Sequence, residues 1–446
     1  MRVGKGHARV FCGGIGIKRS KKKHEKHVEK AITEKRRVFG VKGFSLTMFI
    51  PLFNIIYSFL PEYMHCVLLG VCKTFATMWF DSKNFQKPWY IGTRVNLYDQ
   101  KLKKIMPCHE ISRTTDSIEN FGLWEASQWK HHLLYYSLVC LKDILPLRYY
   151  KHWLLLVFSI YTILKDRFSI QEFRSAKRAL QQFVEDTETL YGKEYMKYNI
   201  HLLLHIPDSV KQFGALWAWS AFPFEHYNGI LTKMFHNSQS VPQQICKSYL
   251  SLQNIKNSTI FLQQNCSVSG KSLFNKMFGD SNIDKYLHFG LLKICGCAQH
   301  VELSVIEQHL ITEVLGEEIM TNACSYDRFI YKNILCHCSD RQLKRRHNST
   351  VQTRDKIIDI CNILTVTTAN SQIKQCVIIG KVFEVLNKVL CTHGAISSNS
   401  FSTVVMLTEN KMCCLPENLL RKCILIPYID NKTFVIIPIV NLVETD

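Results

Sequence analysis

Between residues 66 and 206 apolar side chains recur every three or four positions, the spacing that lines them along one face of an α-helix. Trp153, Leu156, Val157, Ile160 and Leu164 form one such stripe. The pattern predicts helices over Cys66–Asp81, Leu123–Leu145, Tyr150–Lys165, Ile170–Tyr191 and Tyr195–Ile206, the last stopped by Pro207. Two more are expected over Phe224–Phe235 and Pro242–Gln264. Ser45–Leu60 reads differently, being apolar, aromatic and β-branched with one proline. It fits a short helix and then a buried strand that ends near Leu60 and delivers Glu62 at its C-terminal end. From about Tyr286 the apolar runs shorten. Cys376–Val385, Ser402–Leu407, Cys423–Ile426 and Thr433–Val440 read as strands of a small β domain, with Asp430-Asn431-Lys432 marking a tight hairpin.

Composition narrows this picture. With 446 residues and 47% apolar content the chain can bury a sizeable core. Fifty-six Lys and Arg against 36 Asp and Glu give a net charge of +20, which favours polyanions, nucleic acid ahead of a membrane surface. Residues 1–42 hold fourteen of those bases against three Glu and read as an exposed basic arm. Within it Lys18, Arg19, Lys21, Lys22 and Lys23 suit DNA phosphates or nuclear targeting, or simply a solvated surface. The 18 cysteines fit reduced thiols in a long core-forming chain better than a disulfide scaffold. No apolar run reaches membrane-spanning length and no signal core is present, so a nuclear or cytoplasmic protein, neither secreted nor membrane-bound, is expected.

Several residue groups could carry chemistry. Glu62 and His65 lie three apart where the expected strand becomes a helix, a common place for catalytic groups. The same pair also suits a structural use, Glu62 capping the helix and His65 packed beneath it. His201 and His205 have a zinc-type spacing, although Leu202 stands where the zincin pattern needs Glu. In the other reading Leu202, Leu203 and Ile206 face the core and the two histidines pack beside them. Cys295-Gly296-Cys297 and Cys336-His337-Cys338 could supply four thiolates to zinc if the fold brings them together. Trp217, Trp219, Phe222, Phe224 and Tyr227 crowd the approach to Glu225, as a packed hub that fixes its helix or as a base-stacking surface.

The run Leu60-Pro61-Glu62-Tyr63-Met64-His65-Cys66-Val67-Leu68-Leu69-Gly70-Val71 resembles the second-acid motif of the CACTA (En/Spm-like) DDE transposases. There an Asp, two residues and a His precede a Cys-Val-Leu-Leu-Gly-Val run. The resemblance continues through Trp124–Trp129, Leu190-Tyr191-Gly192-Lys193-Glu194, Asn199-Ile200-His201-Leu202-Leu203-Leu204-His205 and Leu216-Trp217-Ala218-Trp219-Ser220-Ala221-Phe222-Pro223-Phe224-Glu225. It implies an α+β fold in which residues 43–270 form a partial RNase H-like core interrupted by a large all-helical insertion at about 66–220. A small C-terminal β-barrel would follow within 286–446, where Asn348-Ser349-Thr350-Val351 and Pro416-Glu417-Asn418 resemble the tail of animal members. Lys344, Arg345 and Arg346 make one loop of that region basic.

By the resemblance Glu62 and Glu225 would be the second and third acids of a DDE triad, clamping Mg²⁺ for phosphodiester hydrolysis and strand transfer. Glu62 stands where the family has Asp, and Gly4–Phe11 resembles a part of the family that follows its first acid, so that acid is expected to be absent. The chain is therefore expected to be a catalytically inactive, transposase-derived DNA-binding protein. A homo-oligomer fits, because transposition pairs two ends. Two alternatives stay open: an active Mg²⁺-dependent enzyme whose first Asp comes from a missing upstream segment, and a zinc-stabilised protein-interaction module.

Overall fold

The structure is a computed structural model that describes residues 2–3, 8–12, 16, 19–114, 116–265, 267–277, 286–339, 345–370, 372–430 and 432–441. Helices and strands are mixed, as an α+β fold requires. The chain divides into two compact units. Residues 1–102, 115–221 and 389–401 make the first, and residues 103–114, 222–388 and 402–446 the second.

The first unit is helical. Its central helix, Leu147–Leu164, buries almost every side chain, including Trp153, Leu154, Ile160 and Leu164. A helix apolar on all sides must be enclosed by others. Ile170–Tyr191 packs beside it and shows why that expectation held to the residue: Ser169 and Glu172 form a reciprocal capping box, and Ala176, Leu180, Phe183 and Tyr191 face inward. Rings from three helices meet in the core. Trp79 Nε1 donates to the Tyr191 hydroxyl at 3.3 Å, and His152 stacks on Phe183 with centroids 4.2 Å apart. Met64–Cys72 is wound as a π-helix and continues into the α-helix Lys73–Phe80. Gly70 within it is required by a close approach, since a Cβ there would collide with the Asn199 side chain and the His65 carbonyl.

Two expectations fail in this unit. No strand forms over residues 45–60; the segment is a 3₁₀ turn, Leu46–Phe49, followed by turns. Pro51 lacks a donor, Leu52 takes a positive φ of 63°, and Asn54 Oδ1 accepts from the backbone of Ile56 and Tyr57, building a turn where a ladder was expected. Several of its apolar side chains also stay outside, Leu46 at 80% and Phe49 at 72% exposure, and the rest are at most partly covered. The helix expected over Tyr195–Ile206 is broken at 203–205, and Pro207 begins the next helix, Ile206–Phe213, rather than ending the last. Proline costs nothing there because first-turn N–H groups have no helical partner. Within the basic stretch, Lys21–Thr33 is a helix whose N-cap Ser20 accepts from Lys23 N and whose lysines are exposed.

The second unit holds a closed six-stranded β-barrel. Its strands are β1 (Thr350–Thr353), β2 (Ile357–Thr367), β3 (Lys374–Val385), β4 (Thr403–Cys414), β5 (Leu419–Pro427) and β6 (Thr433–Pro438). They are ordered β3-β4-β6-β5-β1-β2, and pairing of β2 with β3 closes the ring, confirming the expected small barrel. Asp430 Oδ1 accepts from the backbone of Lys432 and Thr433 and turns β5 into β6, as its position between two apolar runs foretold. Gly380 lets β2 and β3 close up, because a Cβ would meet the Asp359 carbonyl at 2.9 Å. Alternate residues of β3 enter different cores. Ile378 packs with Ile294 and Phe329 of a four-stranded sheet, while Val377 and Ile379 pack against Ile311 of the helix Val305–Leu315.

Residues 103–114 are fastened to this unit by buried charge. Lys422, fully buried, meets Glu110 Oε2 at 2.7 Å and Asn348 Oδ1 at 2.9 Å, and also donates to the Leu335 carbonyl. Among the described residues no helix is long and apolar enough to cross a membrane. The described cysteines are all free thiols, and most are buried.

Candidate functional site

Glu62 sits just before the π-helix Met64–Cys72, whose first N–H groups have no helical acceptor. Its carboxylate takes their place. Oε1 accepts from Met64 N at 2.8 Å and from Ala221 N at 2.9 Å, and Oε2 accepts from His65 N at 3.0 Å. The His65 ring adds its Nδ1 to Oε2 at 2.9 Å. Four partners thus use the roughly four lone-pair directions of a carboxylate. A metal ion at Glu62 would have to displace one of them. Glu62 is therefore the cap that the structural reading of the motif describes, but His65 is not packed beneath the helix. More than half of its side chain is exposed, with Nδ1 turned to the carboxylate. A carboxylate-braced imidazole of this kind can accept or deliver a proton at Nε2.

Glu225 lies in the first turn of the helix Phe222–Thr232, exposed, and belongs to the second unit whereas Glu62 belongs to the first. The aromatic hub expected around it does not form as one body. Phe222 is buried, but Phe224 is 70% and Tyr227 60% exposed, so neither fixes the helix by packing. Among the described residues no group of three or more His, Cys, Asp and Glu side chains could hold a metal ion. Glu62, its oxygens taken by N–H donors, does not fit the Mg²⁺ clamp that the resemblance implies.

The basic residues divide. Arg19, Lys21, Lys22 and Lys23 are exposed at the start of the Lys21–Thr33 helix, and Arg19 also donates to the Phe39 carbonyl. Lys18 and Lys344 lie outside the described residues. Arg345 is exposed. Arg346 is committed elsewhere: its guanidinium donates to the carbonyls of Cys108, Ile111 and Ser112, holding the 103–114 segment rather than facing a ligand.

The two Cys-x-Cys pairs do not converge as a zinc site. Cys295 pairs with Arg328 and hence with His337, while Cys336 pairs with Phe329 and Ile294. Cys336 therefore shares the core face of the sheet with those two residues, and the alternating pleat turns Cys295 to the opposite face. His347, Ser349, Thr350 and Asp359 gather in the barrel and superficially suggest a nucleophile relay. Ser349 Oγ at 3.3 Å, Thr350 Oγ1 at 2.8 Å and Asp359 Oδ1 at 3.4 Å all meet the same ring nitrogen, Nε2. A relay needs the hydroxyl and the carboxylate on opposite nitrogens. This cluster is structural.

Sequence reasoning missed one concave feature of the first unit. A cavity of about 640 Å³ is lined by Arg19, Tyr57, Phe59, His201, His205 and Lys211 among others. These residues come from three separated stretches of chain, so no local spacing could have grouped them. No protein-family model, curated protein or solved structure matches the chain.

Proposed function

We propose that this chain is a nucleic-acid-binding protein of the nucleus, derived from a CACTA-type transposase with an RNase H-like core, and that it no longer cuts DNA. The observation that carries the binding reading is the Lys21–Thr33 helix. Val28 and Ala31 are buried, and Lys21, Lys22, Lys23, Lys26 and Lys30 are exposed. Three lysines occupy a first turn that holds no acidic residue. That is the wrong sign for the helix macrodipole, whose N-terminus already carries about half a positive charge. A protein selected for helix stability alone would place carboxylates there. Lysines and free N–H groups acting together instead make a strong local attractor for phosphate. Support for lost cutting comes from Glu62, whose oxygens are occupied by N–H donors.

Fluorescence anisotropy with a mixed-sequence duplex tests this. Binding is expected without any divalent ion, and its affinity is expected to fall linearly in log K against log salt. Replacing Lys21, Lys22 and Lys23 together by Ala is expected to reduce that slope by about 2 to 3, at roughly 0.9 per phosphate contact. An unchanged slope and affinity in the triple variant would remove this helix from the interface. Mg²⁺-dependent nicking that disappears in Glu225→Ala would instead establish the active enzyme.

A further inference from the structure

His201 closes the short helix Tyr198–Leu202, and His205 precedes the helix Ile206–Phe213. The turn between them leaves Leu203, Leu204 and Ile206 buried and both imidazoles half-buried on the wall of the 640 Å³ cavity. Leu202, expected in the core, is only partly covered. The two Nε2 atoms face each other at 3.2 Å. Two imidazole nitrogens bound to one tetrahedral Zn²⁺ at 2.0–2.1 Å stand about 3.3 Å apart. The rings already hold the separation of a chelating pair.

We propose that His201 and His205 form a binding site for one divalent transition-metal ion of the Zn²⁺ type. Its remaining coordination positions open onto the cavity, to be filled by water or an anionic ligand. The site is independent of the nucleic-acid reading.

Three features support it. First, the His201 ring is held from behind. Phe11 stacks on it with centroids 5.3 Å apart and an interplanar angle of 23°, and Phe11 is itself anchored by donating its N–H to the Met196 carbonyl at 2.8 Å. A ligand ring fixed in this way loses little entropy when an ion binds. Second, the two rings share one wall, because the 203–205 turn between the helices Tyr198–Leu202 and Ile206–Phe213 sets their separation through the backbone. Third, the cavity gives an ion a path in and room for exogenous ligands. In the metal-free pair one ring donates its Nε2 proton to the other. Binding requires only that this ring carry its proton on Nδ1 instead, so no proton leaves the pair. Two imidazoles favour Zn²⁺, Ni²⁺ or Cu²⁺ over Mg²⁺ and Ca²⁺, and Asp208 on the same cavity wall is paired with Lys177 at 3.0 Å.

The test titrates the full-length chain with ZnCl₂ by calorimetry, beside His201→Ala, His205→Ala and the control His226→Ala on the exposed helix. The wild type and the control are expected to bind one more equivalent than either His201→Ala or His205→Ala. Loss of either ring should weaken that equivalent more than about 100-fold, beyond the 10- to 100-fold typical of outer-shell partners. Equal stoichiometry and affinity in all four proteins would overturn the proposal. Should a variant fail to fold, the wild type itself decides. On Zn²⁺ addition the ¹⁵N resonances of two histidine Nε2 atoms should shift together, and assignment of both shifts to histidines other than His201 and His205 would likewise overturn it.

Discussion

Four partners converge on the Glu62 carboxylate, and each would lose its acceptor if the side chain were cut back. Loss of an N-terminal cap alone costs about 0.5–2 kcal/mol, and a donor left unsatisfied about 1–3. Glu62→Ala is therefore expected to destabilise the first unit by about 2–4 kcal/mol. Glu225→Ala, at an exposed position, should stay within about 0.5 kcal/mol. Guanidinium unfolding of both variants checks this contrast, and a Glu62→Ala protein as stable as wild type would contradict the capping role. Glu110 and Lys422 make a sharper case in the second unit. Lys422 is fully buried and has Glu110 as its counter-charge at 2.7 Å. Removing one partner of such a pair leaves a charge without its counter-ion in the interior, so Glu110→Ala should cost about 3–5 kcal/mol. Lys422→Met with Glu110→Leu, which removes both charges, should recover much of that loss, as read by thermal unfolding.

The helix Lys21–Thr33 sets two demands against each other. Because its first turn carries lysines, Lys21→Glu and Lys22→Glu should each stabilise the helix by about 0.3–1 kcal/mol while weakening DNA binding. Circular dichroism melting and anisotropy on the same variants would show the two signs, and a joint loss or joint gain would refute the conflict. The chain spelled out its elements wherever a local signal and a tertiary one agreed. Ile170–Tyr191 is framed by Ser169, Glu172 and Gly192 and carries one inward apolar stripe, so its ends could be read directly. Residues 45–60 carried only an apolar texture. There Asn54 and Pro51 decide the backbone locally, and none of the apolar side chains is more than partly buried. The Glu62–His65 pair was legible as a motif, but the third hydrogen-bonding segment, Ala221, lies 159 residues away and no spacing announces it. The His201–His205 spacing was also visible, whereas the break at 203–205 that sets the ring separation was not.

At the scale of the molecule, chain order and unit membership part company. Residues 103–114 belong with the barrel unit and residues 389–401 with the helical one, where Phe401 meets Tyr161 at 5.2 Å and His393 meets Gln182 at 3.0 Å. Such exchanges are fixed by long-range packing, which hydrophobic periodicity cannot report. The helical unit should also be the acid-sensitive one. Burial lowers the pKa of both His132 and His152 to about 3, against 6.5 ordinarily. Below pH 6.5 the unfolded chain binds protons that these folded imidazoles refuse, so stability falls as pH drops from about 6.5 towards 3. The slope should approach about 1.4 kcal/mol per pH unit for each ring. Denaturant titrations at pH 7 and pH 5 would measure it, and equal stability at both would exclude it. The buried thiols have a use of another kind. Burial pushes Cys66 and Cys140 in one unit, and Cys336, Cys376 and Cys423 in the other, up to about 12, whereas Cys12, Cys246 and Cys297 are exposed. A brief pulse of iodoacetamide would tag the exposed three at once and the others only when their own unit opens. The chain thus carries a separate clock in each half, readable peptide by peptide in a mass spectrometer from its own thiols.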